Sequence, residues 1–186
     1  MPDSTIYVNY CDAINDSKVK AMMAFLADLI FQKHPESIYL LFSSSGGQVE
    51  AGISLYNYLK ALPLTLVTHN TGNIDSIANV IFLAGQTRFA SVHSSFMFHG
   101  VNWNFVAASS LNRSQVSESL SGIEASEAKI LGVLTERSKL NAEEVRTLFA
   151  KGETKDPAWA QTKGLISAVK DAAIPPGAIL LSPNFN

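Results

Sequence analysis

"SIYLLFSSSGGQVEAGISLYNYLKALPLTLVTHN", Ser37 to Asn70, decides the fold. Its first segment, "SIYLLFS" (Ser37 to Ser43), is a continuous apolar run of the kind buried on both faces of a sheet. "SSSGG" follows as a loop, and "VEAGISLYNYLKAL" reads as a helix that stops before Pro63, where proline can no longer continue it. "LTLVTHN", Leu64 to Asn70, is again a buried strand. Strand, crossover helix and strand make one β-α-β unit, and strands joined that way run parallel.

The same alternation extends in both directions. Upstream, "IYVNY" (Ile6 to Tyr10) is a short strand. The helix after it has a start signal at Asn15–Ser17, apolar residues at helical spacing (Val19, Met22, Met23, Leu26, Leu29, Ile30) and a stop at His34-Pro35. Downstream, "TGNIDSIANVIFLAG" (Thr71 to Gly85) predicts a helix from about Asp75 to Ala84. "TRFAS" and "SSFMFHG" read as strands, and Val106 to Lys139 as a long polar helix. "NAEEVRTLFAKG" is a short helix, "LISAV" (Leu165 to Val169) a strand, and a proline-containing tail closes the chain. The expected class is α/β, with chemistry at the carboxyl ends of parallel strands. One domain over 1–186 is expected, with a core at about 6–169, a long helix at 106–139 and a tail at 170–186.

Composition narrows the function. Of the 186 residues 47% are apolar and 16% charged, which suits a folded globular chain. A formal net charge of −2, with the 14 Lys and Arg scattered, gives no electrostatic reason to expect nucleic acid or an anionic membrane as partner. Cys11 is the only cysteine, so no internal disulfide forms and no thiolate metal site is available; no metal or cofactor is expected. The N-terminus lacks the pattern of a signal peptide, and no apolar run approaches the roughly 20 residues that span a bilayer. The expected location is the cytoplasm.

Two glycine-bearing loops directly follow buried strands. Gly46-Gly47 lets the backbone turn sharply and lets bare N–H groups approach a ligand. Asp75-Ser76, after Thr71-Gly72, puts a hydroxyl near unpaired backbone donors. Acyl transfer requires a nucleophile, a base and N–H donors for the oxyanion. Ser76, His99, and the N–H groups of Gly47 and Ile77 could fill those roles. Each has a plainer reading: Ser76 as a small polar residue behind an Asp75 N-cap, Gly46-Gly47 as a turn, and His99 as one structural histidine beside His34, His69 and His93. The G-x-S-x-G pattern is absent, because Gly72 lies four residues before Ser76 and Ala78 stands at the second glycine.

Together these segments resemble the Clp protease proteolytic subunit (ClpP) family, serine peptidases with a crotonase-like fold of stacked β-α-β units. "IYLLFSSSGGQVEAGISLYNYL" is similar to that family's "IYLYINSPGG…AG…IYD", "TGNIDSIANVIFLAGQTRF" to its "GQAASMGAFLLTAG", and "SSFMFHG" to its "SRVMIHQP". The resemblance runs from about Ile6 to Val169, without a gap between Gly47 and Gly85. It implies Ser76 as nucleophile, His99 as general base and Gly47 and Ile77 as the oxyanion hole, in a serine-type endopeptidase acting on peptides or unfolded protein. It also implies a homo-oligomer, with a ring as one form, and a "handle" helix at 106–139 by which rings stack; an ordinary solvated helix is the plainer alternative.

The chain departs from the family pattern in several places. The family aspartate falls, by counting back from Gly164 in "TKGLI", on Gly152, which has no side chain. Glu153 in "KGET" is the expected acid, as in phage-type relatives, and Asp156 the alternative, although Asp156-Pro157 also reads as a helix N-cap followed by proline. Ser45 replaces a proline, Asp75 replaces an alanine, and the axial-loop segment has no counterpart, which argues against docking to a Clp ATPase. A catalytically silent subunit or structural ring protein is the second reading, and a crotonase-fold acyl-CoA enzyme the third.

Overall fold

The computed structural model describes residues 4–102 and 112–185. β1 (Thr5–Cys11), α1 (Asp16–Lys33), β2 (Ser37–Ser44), α2 (Val49–Ala61) and β3 (Thr65–Asp75) form two successive β-α-β units. Sequence signals set the ends of α1. The Asn15 side chain accepts the Lys18 N–H at 3.0 Å, and His34 closes the helix in the left-handed region ahead of Pro35. β1 pairs with β2 in parallel from Thr5 against Ser37 to Cys11 against Ser43, and β2 pairs with β3 in the same sense.

The chain continues through α3 (Ala78–Phe82), β4 (Thr87–Ala90), β5 (Ser95–Met97), α4 (Arg113–Arg137), α5 (Ala142–Lys151), β6 (Thr154–Lys155), α6 (Pro157–Thr162), β7 (Ala168–Val169) and β8 (Leu180–Leu181). Among the described residues eight strands form one mixed sheet in the order β6-β5-β3-β2-β1-β8, with β4 paired to both β3 and β7. Only the β5–β6 pairing is antiparallel. The architecture is α/β, as the alternation of strands and helices requires.

β3 is long because it serves two neighbours in turn. Its first half, Val67 to Asn70, pairs with β4, and its last residues, Asn73 to Asp75, pair with β5. This brings the ends of β3 and β5 level, so Asp75 lies beside Met97 and the residues just beyond them share one end of the sheet. Behind that end Ile77, Ala78, Val80, Ile81, Phe82, Leu83 and Ala84 are fully buried in the core.

Four sequence expectations change. The helix expected from Asp75 is instead the end of β3, and only Ala78–Phe82 is helical, because β5 extends the ladder to Asp75. The strand expected over Leu165 to Val169 shrinks to its last two residues; Leu165 and Ile166 are buried without strand pairing, as the turn after α6 brings them into the core. The two-residue β6 was not anticipated. The long helix expected over 106–139 runs over Arg113–Arg137, and the part of that expectation at 106–111 lies outside the described residues. Burial along α4 is confined to Ser126, Ile130 and Leu134, while Val116 and Leu120 are about half exposed. The tail lies back on the chain itself, with Leu180 and Leu181 beside Tyr7 and Val8 and the Phe185 ring edge-on to Tyr10. Among the described residues no helix is long and apolar enough to cross a membrane.

Candidate active site

Ser76 occupies the elbow between β3 and α3 with φ 56, one of two described non-glycine residues at positive φ. A side chain in this left-handed region costs about 1–2 kcal/mol, so the conformation persists only where neighbours hold it. The Ser76 N–H continues the ladder by donating to Met97 O at 2.9 Å, and the Ser76 carbonyl accepts the Asn79 N–H at 3.1 Å. The sharp turn lifts the hydroxyl off the strand, as a nucleophile elbow does. That hydroxyl has no hydrogen-bond partner among the described residues. Asp75 is not the cap of α3; its carboxylate accepts from Asn73 Nδ2 at 2.5 Å.

The Gly46-Gly47 loop packs directly on this elbow. A Cβ on Gly46 would come within 2.8 Å of Ser76 Cβ and 2.6 Å of Asp75 O, and one on Gly47 within 2.0 Å of Ile14 O. Glycine is required at both by close approach as well as by φ values of 81° and 148°. Ile14 pins the loop, donating to Gly46 O at 2.8 Å and accepting from Gln48 N–H at 2.9 Å. The Gly47 N–H points away from that bridge. Neither it nor the Ile77 N–H has a partner among the described residues.

His99 follows β5. With Ser76 and Gly47 it lines a cleft of about 710 Å³, bounded by the starts of α1 and α2 and by Ser126 and Ile130 of α4. Its Nδ1 lies 2.7 Å from Gly100 O, so the carbonyl accepts and Nδ1 carries the proton. That tautomer leaves Nε2 as the free acceptor, the form a general base needs. His69, by contrast, is buried in the sheet between Tyr39 and Ser91.

The two expected acids are elsewhere. Glu153 pairs with Lys155 at 2.7 Å, and this hydrogen bond, with the Lys155 and Lys151 charges, holds its carboxyl below the usual range. Its side chain lines a second cleft with Glu144, Trp159 and Lys163. The reason is strand alternation. Met97 opposes Thr154 in the antiparallel β5–β6 pair, so Glu153 falls opposite Phe98, on the other face from His99. Only its carbonyl meets this strand, accepting Phe98 N–H at 3.0 Å. Asp156 caps α6 by accepting Trp159 N–H at 2.7 Å, ahead of Pro157. The structure brings Ser76, His99, Gly47 and the Ile77 N–H together, and neither Glu153 nor Asp156 reaches them.

Sequence reasoning overlooked Asn79. It is buried in α3, and its Nδ2 donates to Met97 O at 2.9 Å, Ser76 O at 3.1 Å and Ile74 O at 3.3 Å. The available signal was an amide inside the apolar run "IANVIFLAG". No three His, Cys, Asp or Glu among the described residues converge as a metal site would need.

A serine on a strand-to-helix elbow, an imidazole in the same cleft and two N–H groups without partners among the described residues thus lie at one end of the sheet. Residues 3–173 match the family model described as Clp protease, and the chain belongs to the Clp protease family. It is 33% identical over 88 residues to the ATP-dependent Clp protease proteolytic subunit of Ligilactobacillus salivarius (strain UCC118), a match covering 46% of this chain and 45% of that protein. It is 32% identical over 88 residues to the ATP-dependent Clp protease proteolytic subunit 2 of Prochlorococcus marinus (strain NATL2A), covering 46% of this chain and 44% of that protein. The chain spans about half the length of the curated relatives it matches.

Proposed function

We propose that this chain, as one ClpP-like domain, is a serine endopeptidase working with a Ser76–His99 pair. The observation that carries the reading is Ser76 at positive φ, opening into the same cleft as an imidazole whose Nδ1–H is already committed to Gly100 O. His99 Nε2 takes the hydroxyl proton as Ser76 Oγ attacks a peptide carbonyl. The Gly47 and Ile77 N–H groups receive the oxyanion. His99 then protonates the leaving amine and activates the water that releases the acyl group. Substrates are extended peptides or unfolded protein, since the reacting carbonyl has to enter a cleft between helix starts. The relatives' designation as proteolytic subunits supports a homo-oligomer.

One observation favours a second reading, a catalytically silent subunit: among the described residues no carboxylate bonds to His99, whose Nδ1 meets Gly100 O instead. Intact mass after fluorophosphonate treatment separates the two. A single adduct on the wild type that is lost in Ser76→Ala supports the peptidase. A folded wild type with no adduct at neutral pH overturns it in favour of the silent subunit.

A further inference from the structure

Resting on the nucleophile reading above, we propose that Asn79 is a positioning residue that holds Ser76 and the strand carrying His99 in their reactive arrangement. Asn79 is the second residue of α3 and is buried, with buried apolar residues on both sides of it along the chain. Its carboxamide nitrogen meets three carbonyls from three pieces of backbone: Ile74 in β3, Ser76 in the elbow and Met97 at the end of β5. The backbone N–H of Asn79 also donates to Ser76 O. Two donors of one residue therefore grip the carbonyl of the residue whose conformation is unfavourable.

The orientation of the amide is fixed by chemistry. Turning it over would set Oδ1 against three carbonyl oxygens, a repulsive arrangement, so nitrogen faces them. The consequence is visible on the other side: Asn79 Oδ1 is buried and has no partner among the described residues. A buried acceptor left unsatisfied costs about 1–3 kcal/mol. A small apolar residue would fill a helix core without that cost, so the amide is there for what its nitrogen does.

Two catalytic elements depend on those carbonyls. Holding Ser76 O fixes the peptide that sets φ and ψ at the nucleophile. Holding Met97 O fixes the end of β5, two residues before His99, and the same oxygen accepts the Ser76 N–H. Asn79 thus ties the serine elbow to the histidine strand through one shared acceptor. Without it Ser76 can relax toward an ordinary backbone conformation, and its separation from His99 Nε2 is no longer set. Displacement of reacting groups by about 1 Å is enough to cost about 100-fold in rate.

The test compares wild type, Asn79→Ala, Asn79→Asp and Val80→Ala, full-length, by circular dichroism and by the kinetics of fluorophosphonate labelling across inhibitor concentration. Val80→Ala removes buried volume from the same helix without touching the three carbonyls, and so controls for lost stability. Asn79→Asp keeps the shape, removes the amide donors and sets oxygen against the three carbonyls, and Asn79→Ser, smaller and without that repulsion, stands in if neither of the other Asn79 variants folds. The expected result is a fall of about 10- to 100-fold in the limiting labelling rate of a folded Asn79 variant, with half-saturation unchanged and Val80→Ala close to wild type. Wild-type labelling rates in a folded Asn79 variant overturn the proposal and leave the nucleophile reading standing. So does an equal loss in Val80→Ala, which would make the effect one of general stability. A wild type that does not label overturns both.

Discussion

Installing an aspartate at position 152 should speed acylation of Ser76. Gly152 caps α5 at φ 63 and ψ 52, and its N–H donates to Leu148 O at 3.0 Å. Aspartate tolerates the left-handed region better than most residues, so the expected stability loss is about 1 kcal/mol. Space is available, because a Cβ there meets nothing within 4 Å. Extending the β5–β6 register places position 152 opposite His99, and the two line one cleft of about 580 Å³ with Gly100. Nδ1 would exchange the Gly100 carbonyl for a charged acceptor, which stabilises the imidazolium formed as Ser76 gives up its proton. A hydrogen bond to a charged group exceeds a neutral one by about 1–1.5 kcal/mol, or about tenfold in rate. A fully aligned acid sets the ceiling at about 10⁴. The assay is the rate constant for fluorophosphonate labelling at neutral pH, with urea unfolding to verify the folded state. Glu153→Gln serves as the companion, expected to label as the parent does because its carboxylate is bound to Lys155. A folded Gly152→Asp that labels no faster than the parent would refute the placement. A Glu153→Gln that fails to label would refute the strand-alternation argument behind it.

Ser76→Gly should remove the left-handed strain of about 1–2 kcal/mol while adding about 0.5–1 kcal/mol of unfolded-state entropy, for a net gain of up to about 1.5 kcal/mol. Urea unfolding checks the gain, which should accompany complete loss of labelling; a less stable glycine variant would show that Ser76 is not strained. Burial, reinforced by the Lys170 charge, holds His69 below its ordinary value of 6.5, while a backbone hydrogen bond at Lys170 and the Asp171 charge act in the other direction. The unfolded chain therefore binds this proton at higher pH than the folded one. Stability from this group is intact above about pH 6.5 and is lost as pH falls below it. Thermal melts between pH 5 and 7 should show a shallower decline in His69→Gln than in the wild type, and equal slopes would contradict the assignment.

Sequence patterning revealed the scaffold more readily than the site. Buried parallel strands are continuous apolar runs, and "SIYLLFS" and "LTLVTHN" could be read without their neighbours. Asn15, His34-Pro35 and Asp156-Pro157 marked helix ends because capping chemistry is local. The elbow was not local. Asp75 and Ser76 precede an apolar run, which reads as a helix start, but β5 extends the strand to Asp75, and pairing across the sheet overrides local preference. Glu153 lies apart from His99 for a related reason. A one-residue slip in a loop looks small along the chain, yet in a strand it moves a side chain to the opposite face. Asn79 was overlooked because its role depends on three carbonyls brought together only by the fold.

Several unfavourable terms among the described residues gather around Ser76, and that concentration argues for function there. Ser76 is held at positive φ, Gly46 and Gly47 accept backbone approaches no side chain could survive, and Asn79 leaves an acceptor unpaired in the core. Each opposes folding, and none is needed to connect a strand to a helix, which ordinary turns do without strain. Ile77 and Ala78, fully buried directly behind Ser76, anchor the start of α3 beneath the elbow. Gly52 does the same from α2, lying so close that a Cβ would come within 2.3 Å of Ile77 Cγ1. Packing from behind therefore sets the peptide whose N–H we assign to the oxyanion. Glycine at 76 would relieve the positive φ and alanine at 79 the unpaired acceptor; that the chain carries serine and asparagine there instead supports the reaction proposed at this elbow.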